Sequence, residues 1–252
     1  MAMQERALVT RDQLLLAAAE EIHRVGYREA TIAAISSAAG VTTGASYFHF
    51  KSKEDLARAL IEKQHQIVRD AAQVILADAH EPALNLMMRM CADLARRLVD
   101  DPIVRAGIRL TTDQSTFESP VQQPYRDWLE TFTMLAHRAE HDGETTGEIP
   151  AETLANFIIP AFTGVQLVSE MFSKRVDLID RVHAMWEILI RATVPPASQV
   201  RMITAADQVF AAPPPLERTA EDGAKHETRL AAFWRAAVST AKLVGAPNWG
   251  IR

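Results

Sequence analysis

At 252 residues, 48% hydrophobic and 23% charged, the chain suits one large domain or two modest ones with a core that needs neither disulfide nor metal. Its one cysteine, Cys91, excludes an internal disulfide, fits a reducing cytoplasm, and among Met87, Met88 and Met90 reads as a small buried hydrophobe rather than a nucleophile. The net charge of −5 argues against an indiscriminate nucleic-acid binder, yet residues 1–63 hold eight basic and eight acidic residues, which leaves a neutral head on an acidic body.

Helical periodicity dominates and no segment alternates like a strand, so the expected fold class is all-α. Thr10 and Gln13 form a capping box for a first helix that buries Leu15, Ala18, Ala19, Ile22 and Val25 and ends at Gly26. Thr31 caps a short second helix, Ile32 to Ala39, which stops at Gly40; Thr42 caps a third that runs to about His49. Ser52 and Asp55 open a long helix reaching about Ala79. Further helices are expected over 81–100, 102–113, 121–142, 151–173, 178–193 and 198–211. Pro102 suits a first helical turn, and Pro160 is expected to kink its helix. Residues 142–150 read as a loop and 212–225, with Pro213, Pro214 and Pro215, as a linker. A last amphipathic segment, 226–244, sets Leu230, Phe233, Trp234, Ala237, Val238 and Ala241 on one side and is expected to pack on its own ligand-binding domain or on that of the partner subunit. Residues 1–10 have no signal-peptide core, and the longest apolar run, Leu154 to Val168, is interrupted by Asn156 and Pro160, so no membrane span is expected.

Two short helices joined at Gly40 make a helix-turn-helix whose second helix suits a major groove. That helix reads Thr42-Thr43-Gly44-Ala45-Ser46-Tyr47-Phe48-His49-Phe50. Thr42 and Thr43 offer hydroxyls to phosphate beside a helix start. Gly44 and Ala45 let the backbone approach bases, and a methyl can touch a thymine methyl. Tyr47 and His49 can donate to phosphate oxygens, and Lys53 adds a cation at the next helix start. Thr31 completes the candidate DNA-binding set. Phe48 and Phe50 are expected to close the three-helix core.

The segment Thr31 to Leu60, TIAAISSAAGVTTGASYFHFKSKEDLARAL, resembles the DNA-binding region of the TetR family of repressors. The run Gly40 to Leu56 is similar to the receptors for γ-butyrolactone-type signalling molecules, as are Asp101 to Leu110, Pro124 to Trp128 and Met185 to Arg191. The resemblance covers about Thr10 to Phe210. It implies an N-terminal three-helix DNA-binding domain (1–52), a larger helical ligand-binding and dimerisation domain (53–211) and an extension (212–252) of unassigned role. It implies a dimeric cytoplasmic repressor on a palindromic double-stranded operator, released by a small γ-butyrolactone-, butenolide- or furan-type inducer and controlling antibiotic genes. A drug- or fatty-acyl-responsive repressor and a pseudo-receptor answering to another ligand are the alternatives. Two positions depart from the pattern: Thr43 stands where a lysine is usual, removing a phosphate cation, and Ser46 stands where a leucine is usual, which is expected to loosen or expose the recognition helix.

The resemblance also implies a pocket enclosed by helices between Lys53 and Thr193, the last two of which pair with the partner subunit. Trp128 is the leading candidate contact, combining a flat apolar face with one N–H donor. Gln64 matches a polar pocket position, although on periodicity alone it could equally face solvent. Met87, Met90, Leu110, Phe132, Phe162, Thr163 and Val165 are the remaining candidate lining, with Thr163 supplying a hydroxyl. His137 and His141 have zinc-pair spacing but no acidic or cysteine ligand at a motif position, so they read as a solvated face. No phosphate loop, nucleophile elbow or carboxylate pair is present, and neither an enzyme nor a cofactor is expected.

Overall fold

The computed structural model describes residues 2–112, 117 and 121–211. They form ten α-helices and no strand: α1 (Ala2–Val25), α2 (Ile32–Ala38), α3 (Thr43–His49), α4 (Lys53–Leu76), α5 (Ala83–Asp100), α6 (Pro102–Thr112), α7 (Gln123–His141), α8 (Ala151–Ser173), α9 (Leu178–Thr193) and α10 (Pro196–Phe210). The amphipathic segment 226–244 expected from sequence lies outside the described residues.

Local chemistry sets most of these ends. Thr31, Thr42 and Ser52 each accept the backbone N–H three residues on, at 3.1, 3.2 and 3.0 Å, satisfying a donor the helix cannot. Gly26 and Gly40 follow α1 and α2 with φ of 85° and 69°, a left-handed turn that side chains resist. Thr10 does not begin α1. The helix starts eight residues earlier, and the Thr10 hydroxyl donates back to the Arg6 carbonyl at 3.0 Å. The first turn of α5 has no side-chain cap of its own; instead Glu144, from the α7–α8 loop, accepts the N–H groups of Ala83 and Leu84 at 2.7 and 2.9 Å.

Two apolar clusters organise the described residues. The head cluster joins Leu14, Leu15, Ala18 and Ile22 of α1 to Ile35, Phe50, Leu56 and Leu60, and is closed by Ala106 and Leu110 of α6. The body cluster surrounds α5 with α7, α8, α9 and α10. Helix α6 therefore serves both, lying against α1 and α4. Its approach to α4 depends on Gly107, where an added Cβ would stand 2.4 Å from the Cβ of Gln64.

Helix α8 runs through Asn156 and Pro160 over the bounds expected from its periodicity. Among the described residues it is the one helix long and apolar enough to cross a membrane by length and composition. It packs on α7 and α9 and leaves Phe157, Met171 and Phe172 exposed, with Val176, Ile188 and Val200 bare nearby in sequence.

Candidate functional site

The candidate DNA surface is the outer side of α2 and α3. Thr31, Thr42, Thr43, Gly44 and Tyr47 are exposed, and Ala45 and His49 are half-buried. The cap bonds use the oxygens of Thr31 and Thr42 and leave their hydroxyl hydrogens free to donate.

Three expectations for this surface change. Ser46 is 1% exposed, with its Oγ 2.7 Å from that of Ser36, whose own hydroxyl donates to the Ile32 carbonyl at 2.6 Å. The serine thus fastens α3 to α2 by a buried hydroxyl chain instead of loosening it. Phe48 does not close the core: it is 74% exposed beside the His49 ring, while Phe50 is buried under the Arg11 guanidinium. Lys53 donates to the carbonyls of Tyr27 and Arg28 at 3.0 and 2.9 Å and lies over the Tyr27 ring, which commits its ammonium to the head's own structure. The cations sequence reasoning missed are Lys51 and Arg28, exposed and with side chains in no hydrogen bond or ion pair among the described residues. Lys51 directly follows the cap of α3, a position legible as the end of the recognition helix.

The candidate ligand site is a cavity of about 50 Å³ where α4, α5, α6, α7 and α8 meet. Gln64, Trp128, Phe162 and Thr163 line it as expected, joined by Cys91, Leu94, Leu98, Ile108, Thr111, Pro124, Tyr125, Ile159 and Gln166. Gln64 is 1% exposed rather than solvated, and its Oε1 has no hydrogen-bond partner, an acceptor left unpaired in an apolar chamber. Burial pushes the Tyr125 phenol up, with the hydroxyls of Thr163 and Thr111 opposing. Burial likewise pushes the Cys91 thiol up to about 12, which leaves it a neutral, unreactive part of the wall.

The other lining candidates lie elsewhere. Met87 and Met90 sit in the body core, Leu110 in the head core, and Val165 packs on the body core without reaching the cavity. Phe132 is fully buried behind Trp128, with ring centroids 5.2 Å apart. The α8 contribution falls at 159, 162, 163 and 166, one helical stripe, and Val165 is a step out of phase with it. That stripe was readable in sequence. His65 of α4 and Asp127 of α7 meet at 2.9 Å, neighbours in sequence of Gln64 and Trp128, and so strap the two cavity walls together. His137 pairs with Glu152 at 2.9 Å and His141 with Asp142 at 2.9 Å on the surface.

Comparisons with known proteins match two stretches of the chain. Residues 14–60 match the bacterial regulatory proteins of the tetR family, and residues 81–195 match the tetracyclin repressor-like C-terminal domain. The A-factor receptor protein of Streptomyces griseus is 32% identical over 196 residues, which cover 78% of this chain and 68% of that protein. The HTH-type transcriptional regulator TtgR of Pseudomonas putida is 28% identical over 186 residues, covering 71% of this chain and 89% of that one. Among solved structures, the TetR family protein CprB of Streptomyces coelicolor in complex with its operator superposes with a TM-score of 0.73 at 32% identity, over 82% of this chain and 100% of that one. An ArpA-like γ-butyrolactone receptor superposes with a TM-score of 0.71 at 33% identity, over 81% of this chain and 98% of that one. With a helix-turn-helix head and a helical body each matched, and relatives of this identity along most of its length, the chain belongs to the TetR family of transcriptional regulators and is a homologue of the γ-butyrolactone receptors.

Proposed function

We propose that the protein is a dimeric cytoplasmic repressor that binds a palindromic operator through α2 and α3 and is released when a small γ-butyrolactone-, butenolide- or furan-type signal enters the cavity, so switching on antibiotic genes. The observation that carries the reading is the cavity itself: apolar walls, the Trp128 ring, and the orphaned Gln64 Oε1 waiting for a hydroxyl donor. A space of about 50 Å³ holds a few waters, so a signal-sized molecule enters only by spreading the walls. Gln64 lies on the same helix as Lys53, about three turns along, and Lys53 is bonded to the head. Spreading the walls therefore moves the head, and a ligand with higher affinity for the spread form shifts the population away from the DNA-bound one.

The bare apolar side chains on α8 and α9 support pairing of two bodies through these helices. Residues 1–52 act as the reading head and 53–211 as the sensing and pairing body. The test is a mobility shift of the DNA upstream of the protein's own gene, with and without a synthetic γ-butyrolactone or an organic extract of the producing culture. A complex of dimer stoichiometry that the signal dissolves supports the proposal; absence of a complex, or one that persists under every signal, contradicts it.

A further inference from the structure

Helix α3 is fastened to the head without a buried apolar side chain. Of its seven residues only Ser46 is buried; Tyr47 and Phe48 are exposed, and no residue of the helix joins the head's apolar cluster. Apolar packing, which is non-directional, therefore does little to orient it. The helix lies against α2, whose buried residues are Ile35 and Ser36. Among the described residues, the Ser36–Ser46 contact at 2.7 Å is the one side-chain hydrogen bond that α3 makes.

That bond has a sense. Ser36 Oγ lies 2.6 Å from the Ile32 carbonyl, which can only accept, so the one Ser36 hydroxyl hydrogen is used there. Ser46 is therefore the donor, and Ser36 Oγ the acceptor. The backbone carbonyl of the same Ser36 accepts the Val41 N–H at 3.0 Å, so one residue of α2 holds both the turn and the middle of α3. On the other side of the helix, Gly44 stands about 160° around the axis from Ser46. Nothing inside the protein calls for glycine there: its φ is not positive, and an added Cβ would meet nothing nearer than Thr42 Oγ1 at 4.0 Å. The close approach that this glycine allows is outward.

We infer that Ser36 and Ser46 are positioning residues for sequence reading: their bond sets the rotation of α3 that turns Gly44, with Thr43 and Tyr47 beside it, toward the base edges. A hydrogen bond has a preferred direction, so it fixes a rotation that a lone apolar contact would leave loose. Neither serine touches DNA; each acts through the backbone it aims. The inference rests on α2 and α3 reading the operator and names what sets their discrimination.

The test is selection by the full-length protein from a library of random duplexes of about 30 base pairs, long enough for two half-sites. Anisotropy titrations then compare the best-enriched duplex with a shuffled copy at one salt concentration. In Ser46→Ala, discrimination between the two should fall at least about tenfold, the loss expected from one misplaced base contact. The shuffled copy should bind as before, since phosphate contacts carry no sequence. Ser36→Ala combined with Ser46→Ala replaces both partners by apolar groups, so it should melt close to wild type and still fail to discriminate. Stability that returns without discrimination separates aiming the helix from holding the fold. Wild-type discrimination in either variant, equal weakening on both duplexes, or loss of cooperative melting in the double variant would each overturn the inference. If the wild type enriches no sequence, the operator reading fails as well; enrichment by the wild type with unchanged discrimination in the variants removes the positioning role alone.

Discussion

Lys53 has the charge and the position of a phosphate contact, yet its ammonium is already divided between two carbonyls and an aromatic face. Lys51, two residues earlier, has no such commitment. The two lysines should therefore separate in experiment. Lys51→Ala is expected to lower the slope of log affinity against log salt by about 1 with little change in melting temperature, since one phosphate contact releases about one counterion. Lys53→Ala should instead destabilise the head by about 1.5–3 kcal/mol, the range for hydrogen bonds to a charged group, and leave the salt slope nearly unchanged. Anisotropy titrations over a salt series, paired with thermal melts, decide it; the opposite assignment of slope and stability would contradict the structure. Sequence identifies both residues as cations and is silent about which carbonyls fold back within reach. Ser46 is similar: its hydroxyl looks like a lost leucine until Ser36 is found 2.7 Å away, on the preceding helix.

At the level of the element, α8 and α9 run over the residues their apolar periodicity marks, and α2, α3 and α4 start where Thr31, Thr42 and Ser52 cap them. These signals are local, which is why they are legible. The start of α1 was not, because a threonine inside a helix can bond back to the carbonyl four residues before and so resembles a cap in sequence. Close approach between helices is equally invisible. Gly107 reads as an ordinary helix-weakening glycine, but it is what lets α6 lie against Gln64. In Gly107→Ala the new Cβ would stand 2.4 Å from the Cβ of Gln64 and 2.7 Å from its Cγ, so α4 and α6 must part. The expected cost is about 1–3 kcal/mol in thermal or urea denaturation, typical of overpacking. Adding Gln64→Ala should not restore it, because the Cβ remains, whereas adding Gln64→Gly should recover part. Full recovery in the alanine double variant would show that the clash lies elsewhere.

Across the whole molecule, head and body share two long connections. Helix α4 begins at the head and carries Gln64 to the cavity, and α6 closes the head core with Leu110 while offering Ile108 and Thr111 to the cavity. Arg109 of the same helix donates to the carbonyls of Ile22 and His23 at the end of α1. Under the proposed function, a molecule that parts α4 from α6 or α7 displaces the recognition helices as a body. Turning a 99:1 bound population into its reverse requires a preference of roughly 5.5 kcal/mol for the released form, which is within reach of a ligand that fills an apolar chamber and satisfies Gln64. The head's role was readable from caps and spacing; the cavity was readable only in part, because its shape comes from five helices meeting and not from any one of them. The most direct test is operator release against ligand concentration for wild type and Trp128→Ala. Trp128→Ala should bind the operator as tightly as wild type and hold it at ligand concentrations that free the wild type. Release of both proteins at the same concentration would show that the cavity beside Trp128 is not where the signal is read.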